Sequence, residues 1–105
     1  MFSGGDYAEV ERWVQNFVIS HAKREVLAAE AVIESDGPRE GKSYGIRLSL
    51  GDRIVPPPPH PPLEVDYTEA ARERGSLAWC LALADRIRAL ARELVSAERE
   101  ARTLA

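Results

Sequence analysis

His21, His60 and Cys80 are the only imidazole and thiol side chains in the chain, so a zinc site or a Cys–His nucleophile would have to be built from them. Their settings suit neither chemistry. His21 stands at the end of a helical stretch, His60 lies inside a run of prolines and Cys80 falls on the apolar face of a helix, with no metal-ligand spacing between them. His21 reads instead as a helix-end residue near the last carbonyls. Cys80 reads as a small buried hydrophobe, because a reactive thiol needs a polar, electropositive and partly open setting. Acid–base work needs paired carboxyl groups, but Glu30, Glu34, Glu64 and Asp66 fit strand-exposed or helix-capping positions better. The glycines at 4, 5, 37, 41, 45 and 51 are turn-spaced, and none lies between a strand and a helix with a following lysine, so there is no phosphate loop. No serine has nucleophile-elbow flanks. The sequence therefore assigns no catalytic residue, no metal ligand and no cofactor, and leans against an enzyme.

Composition sets the outer bounds. A chain of 105 residues, 45% hydrophobic and 30% charged, matches one small α+β domain spanning residues 1–105, with a core large enough to need neither disulfide nor metal. The single cysteine rules out an internal disulfide and points to a reducing compartment. The first residues lack a basic and apolar secretion signal, and no run approaches about 18 apolar residues, so the chain reads as cytoplasmic with no membrane partner. Net charge is −3: nine acids against seven bases in residues 1–55, eight against seven in residues 56–105. Neither half is a basic arm for nucleic acid.

The elements that would position any site follow from periodicity. Asp6 and Glu9 have capping-box spacing, and Val10, Trp13, Val14, Phe17 and Val18 form a helical stripe running to about His21. Residues 25–34 suit strand or helix; the neighbouring strand and the Asp36-Gly37-Pro38 stop favour strand. Tyr44, Ile46, Leu48 and Leu50 alternate with Ser43, Gly45, Arg47 and Ser49, a strand with one buried and one wet face. Turn residues between 35 and 42 make the pair an antiparallel hairpin. Leu63, Val65 and Tyr67 allow a short third strand before Asp66 and Glu69 repeat the capping spacing. The expected order is α-β-β-(β)-α, with the sheet packed on the first helix and a long last helix. In that packing Tyr44, Ile46, Leu48 and Leu50 face Trp13, Phe17, Ile87 and Leu90.

The last helix, residues 67–102, is interrupted only by Gly75 and carries an apolar stripe within roughly 80° of Ile87 at about 100° per residue. Its span of about 54 Å at 1.5 Å per residue exceeds what a domain of this size can cover. Either Gly75 breaks it, leaving a first piece from about Tyr67 to Arg74, or the projecting stripe pairs with a second copy. Ile87, Leu90, Ala91 and Leu94 are the candidate interface residues of such a homodimer, with the uncovered sheet edge as a second contact surface.

Two weaker candidates complete the reading. Residues 56–62 hold six prolines and His60, and suit polyproline II geometry; they are a stiff connection across a sheet edge or, through Pro56, Pro57, Pro58, Pro59 and His60, a docking segment for a protein partner. Arg74, Arg88, Arg92 and Arg99 fall on one flank of the long helix, but Asp85 shares that flank and the whole chain is acidic, which argues against nucleic acid. The element order resembles that of double-stranded RNA-binding domains, yet Asp66, Tyr67, Thr68 and Glu69 stand where their basic cluster is expected. The expected function is a non-enzymatic homo-oligomeric interaction module using the long helix. The alternatives are nucleic-acid binding through the arginine flank, and a small-ligand or catalytic pocket at a dimer seam near Trp79, Tyr67 and His60.

Overall fold

The computed structural model describes the backbone of residues 5–104 and the side chains of residues 5–96. Helix α1 covers Tyr7–Glu25, opened by Asp6, whose carboxylate accepts the Glu9 N–H at 2.8 Å. Val10, Val14, Val18 and Ala22 recur every fourth residue and are fully buried, so the helix presents a narrow, densely branched stripe to the core. It runs one turn beyond His21 because nothing breaks it before Val26, and Lys23 covers the Leu27 carbonyl at 2.9 Å. Strand β1 is accordingly shorter than residues 25–34 and spans Glu30–Glu34.

β1 pairs antiparallel with β2, Ser43–Leu50, from Glu30 opposite Ser49 to Glu34 opposite Gly45. A 3-10 turn over Gly37–Arg39 lies in the connection. Gly51, at φ +60, makes the tight reversal into β3, Arg53–Val55, where a Cβ would be strained. β4, Leu63–Asp66, also pairs antiparallel with β2. β3 and β4 lie along one edge of β2: Val55 opposes Leu48, and the next paired residue, Leu63, opposes Ile46. They are two halves of a single edge strand, and residues 56–62 leave it as an excursion opposite Arg47 alone.

The expected long helix is broken at Gly75 into α2, Tyr67–Glu73, and α3, Leu77–Leu104. Asp66 caps the first, accepting the Glu69 N–H at 2.9 Å, and the Ser76 hydroxyl accepts the Trp79 N–H at 3.3 Å to open the second. α1 and α3 cover one face of the sheet. Tyr44, Ile46, Leu48, Val55 and Val65 meet Val10, Val14, Val18, Ile87, Leu90 and Leu94 there, while Trp13, Phe17 and Leu50 are half-buried at the rim. The molecule measures 56 × 30 × 17 Å, and α3, 28 residues long, spans about 42 Å at 1.5 Å per residue, less than the reach of an unbroken helix. No helix among the described residues is long and apolar enough to cross a membrane.

A tyrosine cluster ties the N-terminus of α1 to the sheet. The Tyr7 ring stacks on Tyr44 at 4.7 Å, with Tyr67 edge-on at 5.4 Å. Tyr44 donates to the Tyr7 carbonyl at 2.7 Å and Tyr67 to the Gly5 carbonyl at 2.9 Å. Burial, then the neighbouring phenols of Tyr7 and Tyr67, pushes the Tyr44 hydroxyl well above its ordinary 10.0.

Candidate functional site

The face of β2 turned away from the helices carries Ser43, Gly45, Arg47 and Ser49, the side expected to be wet, yet Gly45 and Arg47 are buried. The excursion 56–62 covers them. Pro62 lies so close over Gly45 that a Cβ there would meet its ring at 2.8 Å and the Arg39 guanidinium at 2.9 Å. Only glycine fits beneath that ring. Arg39 reaches over the same spot to pair with Glu64 on one side and, at 3.4 Å, with Glu34 on the other.

Arg47 is 8% exposed and fully engaged on two nitrogens: Nε donates to Glu34 at 2.8 Å, and Nη1 donates to the carbonyls of Pro56 at 2.6 Å and His60 at 2.9 Å. A guanidinium is the side chain whose rigid fork can hold a carboxylate and two carbonyls at once. Pro57, Pro58, Pro59, His60 and Pro61 project from this anchored base and are exposed. The segment is not the extended polyproline II stretch expected from composition. The His60 N–H donates to the Pro57 carbonyl at 2.9 Å, closing a turn, whereas polyproline II has no internal hydrogen bond. The cause is topological, since the excursion leaves β2 at Leu48 and must return at Ile46.

The other candidates are dispersed. Ile87 and Leu94 are completely buried, as is Ala91, and Leu90 is nearly so. The partner surface of the helix stripe is this chain's own sheet and α1, so these four side chains are not presented to a second copy. Arg88 pairs with Glu25 at 2.9 Å and Arg92 with the same carboxylate at 3.3 Å, which holds the Glu25 carboxyl below its ordinary value. Arg74 sits instead beside Gly5 at the start of α1, and the Arg99 side chain lies outside the described residues. The arginine flank is thus not one free basic strip.

His21 packs its ring on Phe17 at 4.4 Å, and its Nδ1 is buried with no hydrogen-bond partner, so it does not cap the helix end. Burial lowers its proton affinity, and the nearby Arg24 and Arg88 charges lower it further. The sign follows: the unfolded chain takes up the proton first, so stability is full above pH 6.5 and falls as pH drops below it. Melting curves of the natural chain and of His21→Phe should therefore diverge below about pH 6.5, with the loss confined to the natural chain. Parallel curves across that range would refute the assignment. The Glu25 contribution is lost at lower pH, below 4.5.

Cys80 is half-buried, and its thiol donates to the Arg74 carbonyl at 3.4 Å, a structural contact across the α2–α3 elbow. Among the described residues no group of three or more His, Cys, Asp or Glu could hold a metal ion. Of the three residues expected near a pocket, Trp79 lines a cavity of about 170 Å³ with Glu64, Asp66, Glu69 and Arg86, its indole N–H donating to Glu69 at 2.8 Å. Tyr67 belongs to the tyrosine cluster and His60 to the proline turn, and neither lines that cavity.

Periodicity misassigns one surface in part. From Leu77 to Ala84 there is no charged residue, so the outer side of the first two turns of α3 is apolar as well as the inner. Leu77 is 75% exposed and Leu81 57%, with Ala78 and Ala82 exposed beside them. By the helical wheel Leu77 falls at the edge of the stripe, roughly 80° from Ile87, and reads as inward-facing; the structure exposes it, together with Leu81 beyond the stripe.

No protein-family model, no curated protein and no solved structure matches the chain.

Proposed function

We propose that this protein is a non-enzymatic interaction module that pairs with a second copy of itself through the first two turns of α3. The observation that carries the reading is the exposed Leu77–Leu81 pair on a helix whose other apolar stripe is already used inside the fold. The occupant is a second copy because the face is uncharged: a mate offering the same residues loses no charge to desolvation and is matched by a two-fold axis. Two exposed leucines with two flanking alanines support a transient dimer, dissociating at micromolar concentrations rather than nanomolar ones. Analytical ultracentrifugation across a concentration series should show reversible dimerisation. The double variant Leu77→Asp, Leu81→Asp should remain monomeric, with its melting temperature nearly unchanged because both sites face solvent. A natural chain that stays monomeric at millimolar concentration, or a variant that dimerises as before, would end the proposal.

The nucleic-acid alternative loses its support, since Glu25 occupies two of the four arginines. The seam-pocket alternative retains one observation. Ala82 belongs both to the exposed face and to the cavity beside Trp79, so a dimer would set that cavity at its edge. Stabilisation by a small polar metabolite in a thermal-shift screen, abolished by Ala82→Trp, is the expected result for that reading.

A further inference from the structure

The prolines sit where the fold needs almost no chain. β3 ends opposite Leu48 and β4 begins opposite Ile46, so a continuous edge strand would place one residue opposite Arg47; the chain places seven there, residues 56–62. The segment is therefore an insertion within a strand rather than a connection between elements. It is also pre-ordered. Arg47 holds it by the Pro56 and His60 carbonyls, and the Pro57–His60 hydrogen bond closes the turn between them. What protrudes carries no formal charge, offers proline rings, and exposes carbonyl acceptors with few donors to match. Alongside it runs a cleft of about 520 Å³, walled by Asp52, Arg53, Ile54, Val55 and Pro57 on the sheet side and by Glu93 and Ser96 on α3.

We infer that the Pro57–Pro61 turn is a preformed docking knob for a partner protein whose recognition surface is aromatic, a tryptophan or tyrosine entering the cleft against Pro57. Indole and phenol groups fit on both counts. Their faces pack on proline rings, and their N–H or O–H supplies the donor that proline carbonyls accept. The fixed turn keeps the ordering cost of binding low. A phosphate-bearing partner finds no net positive surface here, since the turn holds no lysine or arginine and the one cation of the cleft, Arg53, stands with Asp52 and Glu93. This surface is separate from the α3 leucine face and does not depend on dimerisation.

The test is photo-crosslinking in the cells that express the protein, with p-benzoylphenylalanine at position 60 and, as control, at the exposed position 15 on α1. Cross-linked sites are located by mass spectrometry. The expected result is a single partner cross-linked from position 60 within a tryptophan- or tyrosine-lined segment, with yield falling at least tenfold in Pro57→Asp. The same loss is expected in Ser96→Trp, which fills the α3 wall of the cleft and leaves the turn and position 60 in place. The inference is overturned by position 60 giving no more cross-linking than position 15, by yields that survive Pro57→Asp, or by cross-links landing on nucleic acid, on a second copy, or on a partner surface without aromatic residues.

Discussion

Replacing Ile87 with alanine is expected to destabilise the fold by about 3–5 kcal/mol, the upper part of the range for a large core aliphatic, because the side chain is completely buried between sheet and helix. For a domain this small, a loss of that size lowers the melting temperature by about 15 °C or more. Leu94→Asp should go further and abolish the folded state, since an unpaired carboxylate would stand in an apolar core. Circular dichroism melts and urea titrations decide the matter. The opposite outcome, a fully folded Leu94→Asp chain that merely sediments as a smaller species, would show that the stripe faces another molecule and not its own sheet. The contrast with Leu77→Asp, expected to leave melting untouched, separates the two sides of one helix by experiment.

Arg47→Ala should be the most damaging polar substitution, at about 2–4 kcal/mol, because it strips donors from two carbonyls and a carboxylate at once in a site only 8% exposed. Glu34 keeps Arg39 as a second cation, which places the estimate below that of a fully stranded buried charge. Arg47→Lys should recover only part of the loss, as a single ammonium cannot span the three acceptors that the guanidinium fork reaches. The local signature is amide hydrogen exchange. The His60 N–H, held by Pro57 in the natural chain, should lose its protection in Arg47→Ala even under conditions where the core amides keep theirs. Unchanged protection at His60 would mean that the turn is held by its own geometry and that Arg47 serves only the Glu34 contact.

Much of the architecture is written in local patterns. The two aspartate caps, the four-residue recurrence of Val10, Val14, Val18 and Ala22, the alternation through β2 and the break at Gly75 are each set by a few neighbouring residues. Periodicity reports them because it reports which side of an element is apolar. It cannot report which apolar surface answers it, and this is why Ile87, Leu90, Ala91 and Leu94 read equally well as a dimer seam and as a core.

The candidate site was the less legible part for the same reason. Alternation placed Arg47 on a wet face, since a strand pattern knows nothing of a segment returning from residues 56–62 to cover it. Proline content alone predicts extension, whereas the return to β2 within seven residues imposes a turn. Composition likewise showed that the chain is short, mildly acidic and without a metal-ligand set. The sequence by itself thus determined the helices and strands, their caps, their apolar faces and the lack of a catalytic motif, all properties carried by residues within a few positions of one another. Only the tertiary structure decided that the helix stripe is internal, that Glu25 pairs with two arginines, and that a buried guanidinium anchors a proline turn inside an edge strand. Those outcomes depend on residues such as Arg47 and His60, or Glu25 and Arg92, that meet only once the sheet has formed and the helices have packed on it.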